Sequence, residues 1–228
     1  MFSLQDISYS FHKNEILKNV SLDINKGDCV ALVGMNGCGK TTLLSIAAGA
    51  RKPVSGKVMM FGKELPNNPM ERLKMVGYVP QENPLIPELT VRQNLKMWYA
   101  LSSAEFKKEL ENGFLSVLGV SSFLGKKVSK LSGGMKKRVS IGIALQNHPA
   151  MLIMDEPGAA LDLVYKKEIR SFLTMYLEAG GTILITSHEE DELSLCNRMV
   201  TLCNGEMTIV DPCLRGEELT RTIMGDMK

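Results

Sequence analysis

A glycine-rich stretch contains the residues best suited to hold a phosphate group. It runs Gly34-Met35-Asn36-Gly37-Cys38-Gly39-Lys40-Thr41 and matches the pattern G-x-x-x-x-G-K-[ST]. Glycines let backbone N–H groups turn inward around an anion, and a following helix adds the positive end of its dipole. An apolar strand-like run at 29–33 precedes the stretch and a helical run at 42–48 follows it, which is the context that the pattern requires. The sequence therefore predicts a nucleoside triphosphate site in which Lys40 reaches the β- and γ-phosphates and the Thr41 hydroxyl holds Mg²⁺.

Two carboxylates, Asp155 and Glu156, directly follow the apolar run at 151–154. Ionised carboxylates at the end of a buried strand are costly unless a cation meets them. Beside a phosphate-binding loop, Asp155 is predicted to meet Mg²⁺ and Glu156 to polarise an attacking water. Without such a loop, a solvated strand end would explain both residues.

A third stretch, Leu131-Ser132-Gly133-Gly134, precedes a helical run at 135–145. Two glycines at a helix start expose bare N–H groups and let phosphate approach closely. The alternative is a flexible turn in which Ser132 is only a helix cap. Lys136, Lys137 and Arg138, which follow, are predicted to form a solvated helix face.

The elements that must position these residues follow from hydrophobic patterning. Short apolar runs at 29–33, 151–154 and 182–186 predict buried parallel strands, and the helical segments between them indicate a doubly wound α/β core. The stretch from Leu4 to Ile24 alternates in polarity and predicts antiparallel strands along one flank. After Gly205 only a short strand and a helix are expected.

The stretch from about 84 to 128 is predicted to be helical and inserted into the core. Thr90 and Gln93 fit a capping box, and apolar residues follow at Val91, Leu95, Trp98 and Leu101. A second helix start at 102–105 leads into one apolar face formed by Phe106, Leu110, Phe114, Val117 and Leu118, and Gly119 is expected to end that helix.

Composition narrows the class of protein. Apolar residues make up 44% and charged residues 23% of 228, which excludes a disordered or fibrous chain. The net charge of +2 gives no argument for nucleic-acid binding. No apolar run approaches the roughly 18 residues of a membrane helix, and the first residues lack the features of a signal peptide. The five cysteines form no C-x-x-C pair, so we expect reduced thiols in a cytosolic protein, or one attached to something else that spans the membrane.

As a set, these motifs resemble the nucleotide-binding subunit of an ATP-binding cassette (ABC) transporter, from about residue 4 to residue 210. The resemblance assigns 34–41 to the Walker A loop, Gln81 to the Q-loop, 131–135 to the signature and 151–155 to Walker B. It assigns Ala160-Leu161-Asp162 to the D-loop and His188, in Thr186-Ser187-His188, to the switch. Phe11 falls where the family stacks an aromatic ring on adenine, although Tyr9 lies on the same strand face. Met135 and Ala159 depart from the Gln and Ser that are frequent in the family, so side-chain hydrogen bonds at these two positions are not carried over.

The resemblance implies a fold, a reaction and partners. The expected fold is a single domain, 1–228, with a P-loop NTPase core around a parallel sheet, an N-terminal antiparallel β subdomain and an α-helical subdomain inserted at about 84–145. ATP and Mg²⁺ are the expected ligands, and ATP is expected to lie between two cassettes that face head to tail. Separate transmembrane permease subunits, and no nucleic acid, are the other expected partners, which places the chain at the cytoplasmic face of a membrane. Export is expected, because the compact single cassette and the Gly-Gly-Met signature look more like exporter ATPases than like sugar importers.

The resemblance also implies site residues of three kinds. The catalytic group would be Glu156, His188 and Gln81, and the Mg²⁺ ligands would be Thr41, Gln81 and Asp155. The nucleotide-binding group would be Phe11, Gly34, Met35, Asn36, Gly37, Cys38, Gly39, Lys40, Thr41, Thr42, Ser132, Gly133, Gly134 and Asp162.

Two other classes of protein remain as alternatives. One is an ABC-type ATPase that never contacts a membrane, although the 41–131 interval is too short for the long arms of DNA-repair relatives and the chain has one cassette, not two. The other is a P-loop kinase or GTPase. It would leave Ser132 to Gly134 and His188 unexplained, and the sequence has no N-K-x-D run for guanine.

Overall fold

The structure is a computed structural model that describes residues 1–99, 102–159 and 161–224. The strands are β1 (Phe2–Phe11), β2 (Asn14–Ile24), β3 (Cys29–Val33), β4 (Ser55–Met60), β5 (Lys63–Glu64), β6 (Val76–Val79), β7 (Met151–Asp155), β8 (Thr182–Thr186), β9 (Arg198–Cys203) and β10 (Glu206–Val210). The α-helices are α1 (Lys40–Ala47), α2 (Pro69–Arg72), α3 (Val91–Trp98), α4 (Ser103–Asn112), α5 (Phe114–Val117), α6 (Gly133–Leu145), α7 (Leu163–Glu178), α8 (Glu190–Leu193) and α9 (Gly216–Met224). Short 3₁₀ turns occupy Val120–Phe123 and Val128–Lys130.

The strands form two sheets. A four-stranded antiparallel sheet has the order β2-β1-β4-β5, as the alternating N-terminal pattern predicts. A six-stranded sheet has the order β10-β9-β3-β8-β7-β6, in which β9 to β6 are parallel and β10 is antiparallel to β9. The predicted α/β core is confirmed, and so are the short strand and helix after Gly205.

The six-stranded sheet is buried on both faces. Along β3, Val30 and Leu32 join the apolar core shared with β1, β2 and α1, whereas Ala31 and Val33 join the core shared with α6 and α7. Every residue of β3, β7 and β8 is buried, which explains why these strands are continuous apolar runs.

Between β6 and β7, the helices α3 and α4 start where the sequence predicts, but the second of them ends earlier than predicted. A capping box begins α3 at Thr90, as predicted, and the predicted second helix start, α4, also has a capping box, at Ser102. The single helix expected from 102 to Gly119 is wrong, because α4 ends at Asn112 and, after Gly113, the chain starts again as α5. Trp98 is 42% exposed, so it does not join the buried face of α3, and Leu101 lies outside the described residues.

Two of the five cysteines lie close together in the core. The Sγ atoms of Cys29 and Cys196 lie 3.3 Å apart in the core. The hydrogen bond between the two thiols, together with burial, raises the pKa of Cys29, which favours the protonated thiol.

Four neighbouring strands end at one edge of the parallel sheet. In the order β3, β8, β7 and β6, their carboxyl ends lead into the glycine-rich loop, His188, Glu156 and Gln81. Because parallel strands point the same way, segments that lie about 150 residues apart in the chain, such as the ends of β3 and β8, meet at this edge.

Candidate functional site

The glycine-rich loop encloses the ammonium group of Lys40. Lys40 is buried, and its Nζ donates hydrogen bonds to the carbonyl oxygens of Gly34 (2.7 Å) and Met35 (3.0 Å). Gly39 precedes α1 with a φ of 110°, and a Cβ at this position would come within 2.9 Å of the Ile16 side chain. A side chain would be strained here, so glycine is required both for the backbone conformation and for the close packing.

A cavity of about 530 Å³ lies in front of this loop. Many of the predicted site residues line it: Phe11, Asn36, Gly37, Gly39, Lys40, Thr41, Thr42, Gln81 and Glu156. Tyr9, Ile16 and Arg51 also line the cavity. Sequence reasoning raised Tyr9 only as an alternative to Phe11 and missed Ile16 and Arg51, because no local pattern marks either of them.

The strand end that carries Phe11 supplies two aromatic rings. Phe11 is 59% exposed and meets the His12 ring edge-on at 4.7 Å. The Tyr9 hydroxyl accepts a hydrogen bond from Arg51 Nη1 at 3.1 Å, and that guanidinium lies 5.2 Å from the centre of the Tyr9 ring. Phe11 therefore has a free ring face, whereas Tyr9 is already paired with a cation.

Glu156 is the centre of a three-residue cluster. Its Oε2 accepts a hydrogen bond from Gln81 Nε2 at 2.9 Å, and its Oε1 lies 3.5 Å from His188 Nε2. The backbone of Glu156 has a φ of 46°, which is unusual for a residue with a side chain. Its N–H is held by the carbonyl oxygen and the Oγ1 of Thr186, at 3.1 and 3.0 Å. The structure thus brings together the three residues predicted to be catalytic.

Asp155 has the environment of a cation ligand. It is 1% exposed, and its Oδ1 accepts a hydrogen bond from Thr186 Oγ1 at 2.6 Å. Its Oδ2 is buried with no hydrogen-bond partner in the described part of the chain. A buried carboxylate oxygen without a donor is costly, so the donor set fits an oxygen-seeking cation such as Mg²⁺. Thr41 and Gln81 line the adjacent cavity and are the other predicted ligands.

The signature residues do not line this cavity. The Ser132 side chain caps α6 by accepting from the Met135 N–H at 3.3 Å, so the capping role suggested by the sequence is present. Gly134 is buried, and a Cβ there would overlap the Tyr165 ring. Ser132 and Gly133 are exposed at the helix tip. Asp162 likewise caps α7 through the N–H groups of residues 164 and 165, while Ala160 lies outside the described residues.

The helix face expected to be solvated at 136–138 is wrong in two of its three residues. Lys137 is 3% exposed, and its Nζ donates to the carbonyl oxygens of Pro80 (3.2 Å) and Gln81 (3.1 Å). Burial lowers the pKa of Lys137. The nearby carboxylates of Asp155, Glu192 and Glu156 act in the opposite direction and raise it, but burial has the larger effect. Arg138 bonds Glu168 and stacks 4.8 Å from the centre of the Tyr165 ring. No local pattern signals either contact, because both partners are remote in the chain.

Comparison with known proteins identifies the family. The sequence matches the family described as "ABC transporter" over residues 17–159, well over half of the chain. The chain belongs to this family. Its described residues contain no helix long and apolar enough to cross a bilayer.

Relatives of this cassette have both resistance and import functions in their names. The linearmycin resistance ATP-binding protein LnrL of Bacillus subtilis is 34% identical over 94% of this chain and 71% of its own length. The spermidine/putrescine import ATP-binding protein PotA of Thermotoga maritima is 36% identical over 91% of this chain, which spans only 57% of that protein.

A solved structure extends the likeness to the fold. A bacterial ABC transporter cassette, MJ0796, solved as a dimer, has a TM-score of 0.80 and 30% identity over 95% of this chain and all of its own. The same cassette is also known in a post-hydrolysis state with ADP and Pi. The present chain is accordingly an ATP-binding ABC ATPase of the kind that powers transport.

Proposed function

We propose that this cassette hydrolyses ATP at Glu156 and that hydrolysis drives the transport of a substrate through separate membrane subunits. The observation that carries the proposal is the cluster of Gln81, Glu156 and His188 at the edge of the cavity in front of Lys40. In this cluster Glu156 has both a hydrogen-bond donor and an imidazole on its carboxylate.

In this proposal, the residues in and beside the cavity have different roles in the reaction. Lys40 and the loop N–H groups bind the phosphates, and the exposed ring of Phe11 stacks on the base. Glu156 accepts a proton from the attacking water, while Gln81 and His188 hold the two carboxylate oxygens of Glu156 in position. Thr41, Gln81 and Asp155 would hold Mg²⁺, which neutralises phosphate charge when bound.

A second cassette completes the site. Ser132, Gly133 and Gly134 lie at the tip of α6, outside the cavity that contains Lys40, so one chain does not bring both groups to one phosphate. A helix tip with exposed N–H groups is suited to bind the γ-phosphate held by another copy. The dimeric form of the similar cassette supports a pair of cassettes. In our proposal the two face head to tail, and Asp162 at the start of α7 would contribute at the same interface.

The proposal also covers the domain organisation of the chain, its location and the direction of transport. The chain works as a single ATPase domain, with the helices of the 84–145 stretch as a subdomain, and it binds peripherally to the cytoplasmic face of a membrane. Export stays a prediction from the signature, because relatives of similar identity have import and resistance functions in their names.

The replacement Glu156→Gln tests the catalytic assignment. It keeps the shape of the side chain and removes the base, so phosphate release should fall by about 100-fold or more while ATP affinity is retained. The matched control is Glu178→Gln at the exposed end of α7. Normal phosphate release by Glu156→Gln would exclude Glu156 as the base.

The replacement Ser132→Asp tests the shared site in the Glu156→Gln background. Asp caps helices about as well as Ser, so the melting temperature should not change. Its negative charge would face the γ-phosphate, so the ATP-dependent dimer, measured by light scattering, should be lost. A dimer that persists would show that the tip of α6 does not meet the nucleotide.

A further inference from the structure

Lys137 is the buried charged residue of α6 that the mechanism above does not use. It lies one turn after the exposed tip formed by Ser132 and Gly133, on the side of the helix that faces the core. Burying an ammonium group is costly unless it is hydrogen-bonded. In the described part of the chain, the Lys137 ammonium donates to two acceptors, and both are backbone carbonyls of one short loop. Such a contact fixes the loop backbone without using any side chain of the loop.

The loop in question begins at the end of β6 and carries Gln81. The carbonyl of Gln81 accepts from Lys137 at 3.1 Å, and the side chain of the same residue donates to Glu156 at 2.9 Å. Lys137 therefore lies two hydrogen bonds away from the carboxylate proposed as the base. It is not among the residues that line the nucleotide cavity.

A second contact joins the same helix to the same loop. Ser140, three residues further along α6, donates its hydroxyl to Asn83 Oδ1 at 2.9 Å. Residues three apart lie on one face of a helix, so Lys137 and Ser140 hold residues 80–83 along one side of α6. The helix that presents Ser132 to a second cassette is thereby attached to the loop that presents Gln81 to Glu156.

We propose that Lys137 is a positioning residue of the ATPase: its ammonium group holds the backbone of Pro80 and Gln81 on α6, so that the Gln81 amide reaches Glu156. This inference rests on the proposed roles of Gln81 and Glu156. It adds that the signature helix and the catalytic cluster move together through one buried side chain.

The test is a set of variants of the full chain assayed with Mg²⁺ and ATP. Lys137→Met removes the charge and the donor at nearly constant volume, and kcat should fall about 10- to 100-fold because the cluster is no longer aligned. The Kd for a fluorescent ATP analogue should stay within about threefold, since Lys40 and the N–H groups of the glycine-rich loop, which bind the phosphates, are unchanged. Lys137→Arg, which keeps a charged donor, should recover at least part of kcat.

The matched control is Lys136→Met. Lys136 is the adjacent residue of α6, only partly buried, and no side-chain hydrogen bond or ion pair is recorded for it in the described part of the chain. Its kcat should equal that of the wild type. A drop equal to that of Lys137→Met would overturn the inference, because it would reflect damage to the helix as a whole.

A double-mutant cycle separates positioning from folding. If Lys137 acts through Gln81, Lys137→Met should change kcat by less than about threefold once Gln81 is Ala. The same loss in both backgrounds would overturn the inference, as would a normal kcat for Lys137→Met. Should Lys137→Met fail to fold, Lys137→Leu, which likewise has no hydrogen-bond donor, takes its place in the cycle with the same two outcomes.

Failure of the inference can be told apart from failure of the proposed function. Normal turnover by both Gln81→Ala and Glu156→Gln would remove the proposed function and this inference with it. Loss of turnover in those two variants with normal turnover in Lys137→Met would remove the inference alone.

Discussion

The glycine-rich loop and the loop after β6 are each closed by a buried lysine. In the first, Lys40 donates to the carbonyls of Gly34 and Met35, six and five residues earlier in the chain. In the second, Lys137 donates to the carbonyls of Pro80 and Gln81, which lie 57 and 56 residues earlier. The contact is the same, but the first loop is organised by its own sequence and the second by a distant helix.

This difference matters for what each loop can do. A loop organised from within keeps its shape when the surrounding parts move, which suits the binding of a constant group such as a triphosphate. A loop held by a remote helix follows that helix, which suits a residue whose position must depend on another site. The three replacements below test this division, starting with the largest expected effect.

Lys40→Met should break the first loop's function most strongly. It removes the charge that faces the phosphates and the donor that closes the loop, and affinity for ATP should fall about 10- to 100-fold, since a charge-assisted hydrogen bond contributes about 1.5–3 kcal/mol. Equilibrium titration with a fluorescent ATP analogue measures it. If Lys137→Met weakens binding as much as Lys40→Met does, the two loops are not functionally distinct.

Asn94→Ala should weaken the anchoring of the second loop. Asn94 is fully buried in α3, accepts from the Ile86 N–H at 2.8 Å and donates to the Ile86 and Thr90 carbonyls at 3.1 Å each. Its loss leaves the Ile86 N–H without its acceptor, whereas the Ile86 and Thr90 carbonyls keep the N–H groups of Leu89 and residue 94, and it should cost about 1–3 kcal/mol of unfolding free energy. Denaturant unfolding measures it, with the exposed Lys96→Ala on the same helix as the control. An equal loss in the control would show that α3 is simply fragile.

Ser45→Ala should have the smallest effect of the three. Ser45 lies in α1 behind the first loop, and within the described part of the chain its hydroxyl donates to the Thr42 carbonyl alone, three residues earlier, at 2.8 Å. Alanine has the highest helix propensity and needs no such bond, so unfolding free energy should change by less than about 0.5 kcal/mol. A larger loss than that of Asn94→Ala would contradict the view that the first region depends on local contacts alone.

The same contrast explains what could be predicted from the sequence. The glycine-rich loop, the buried strands β3, β7 and β8 and the capping boxes at Thr90 and Ser102 are local patterns, and the structure contains all of them. The cluster of Gln81, Glu156 and His188 was predicted from the resemblance to the ABC family. The structure supplies the physical reason for it, because each residue follows a strand and parallel strand ends meet at one edge.

Residues whose role depends on a remote partner were missed. Lys137 has the same local sequence context as a surface lysine, and only the fold places the carbonyls of residues 80 and 81 against it. Arg51 reaches the cavity through Tyr9, which precedes it by 42 residues. Gly134 was assigned to phosphate approach, yet its lack of a side chain is also required by the Tyr165 ring. No pattern along the chain records such pairings.

The left-handed backbone of Glu156 has a consequence for anyone who would engineer this protein. With a φ of 46°, position 156 is one at which a library selected for thermal resistance should enrich glycine, because glycine adopts this conformation without strain. Such a selection would remove the Glu156 carboxylate and yield a cassette that is more stable but inactive.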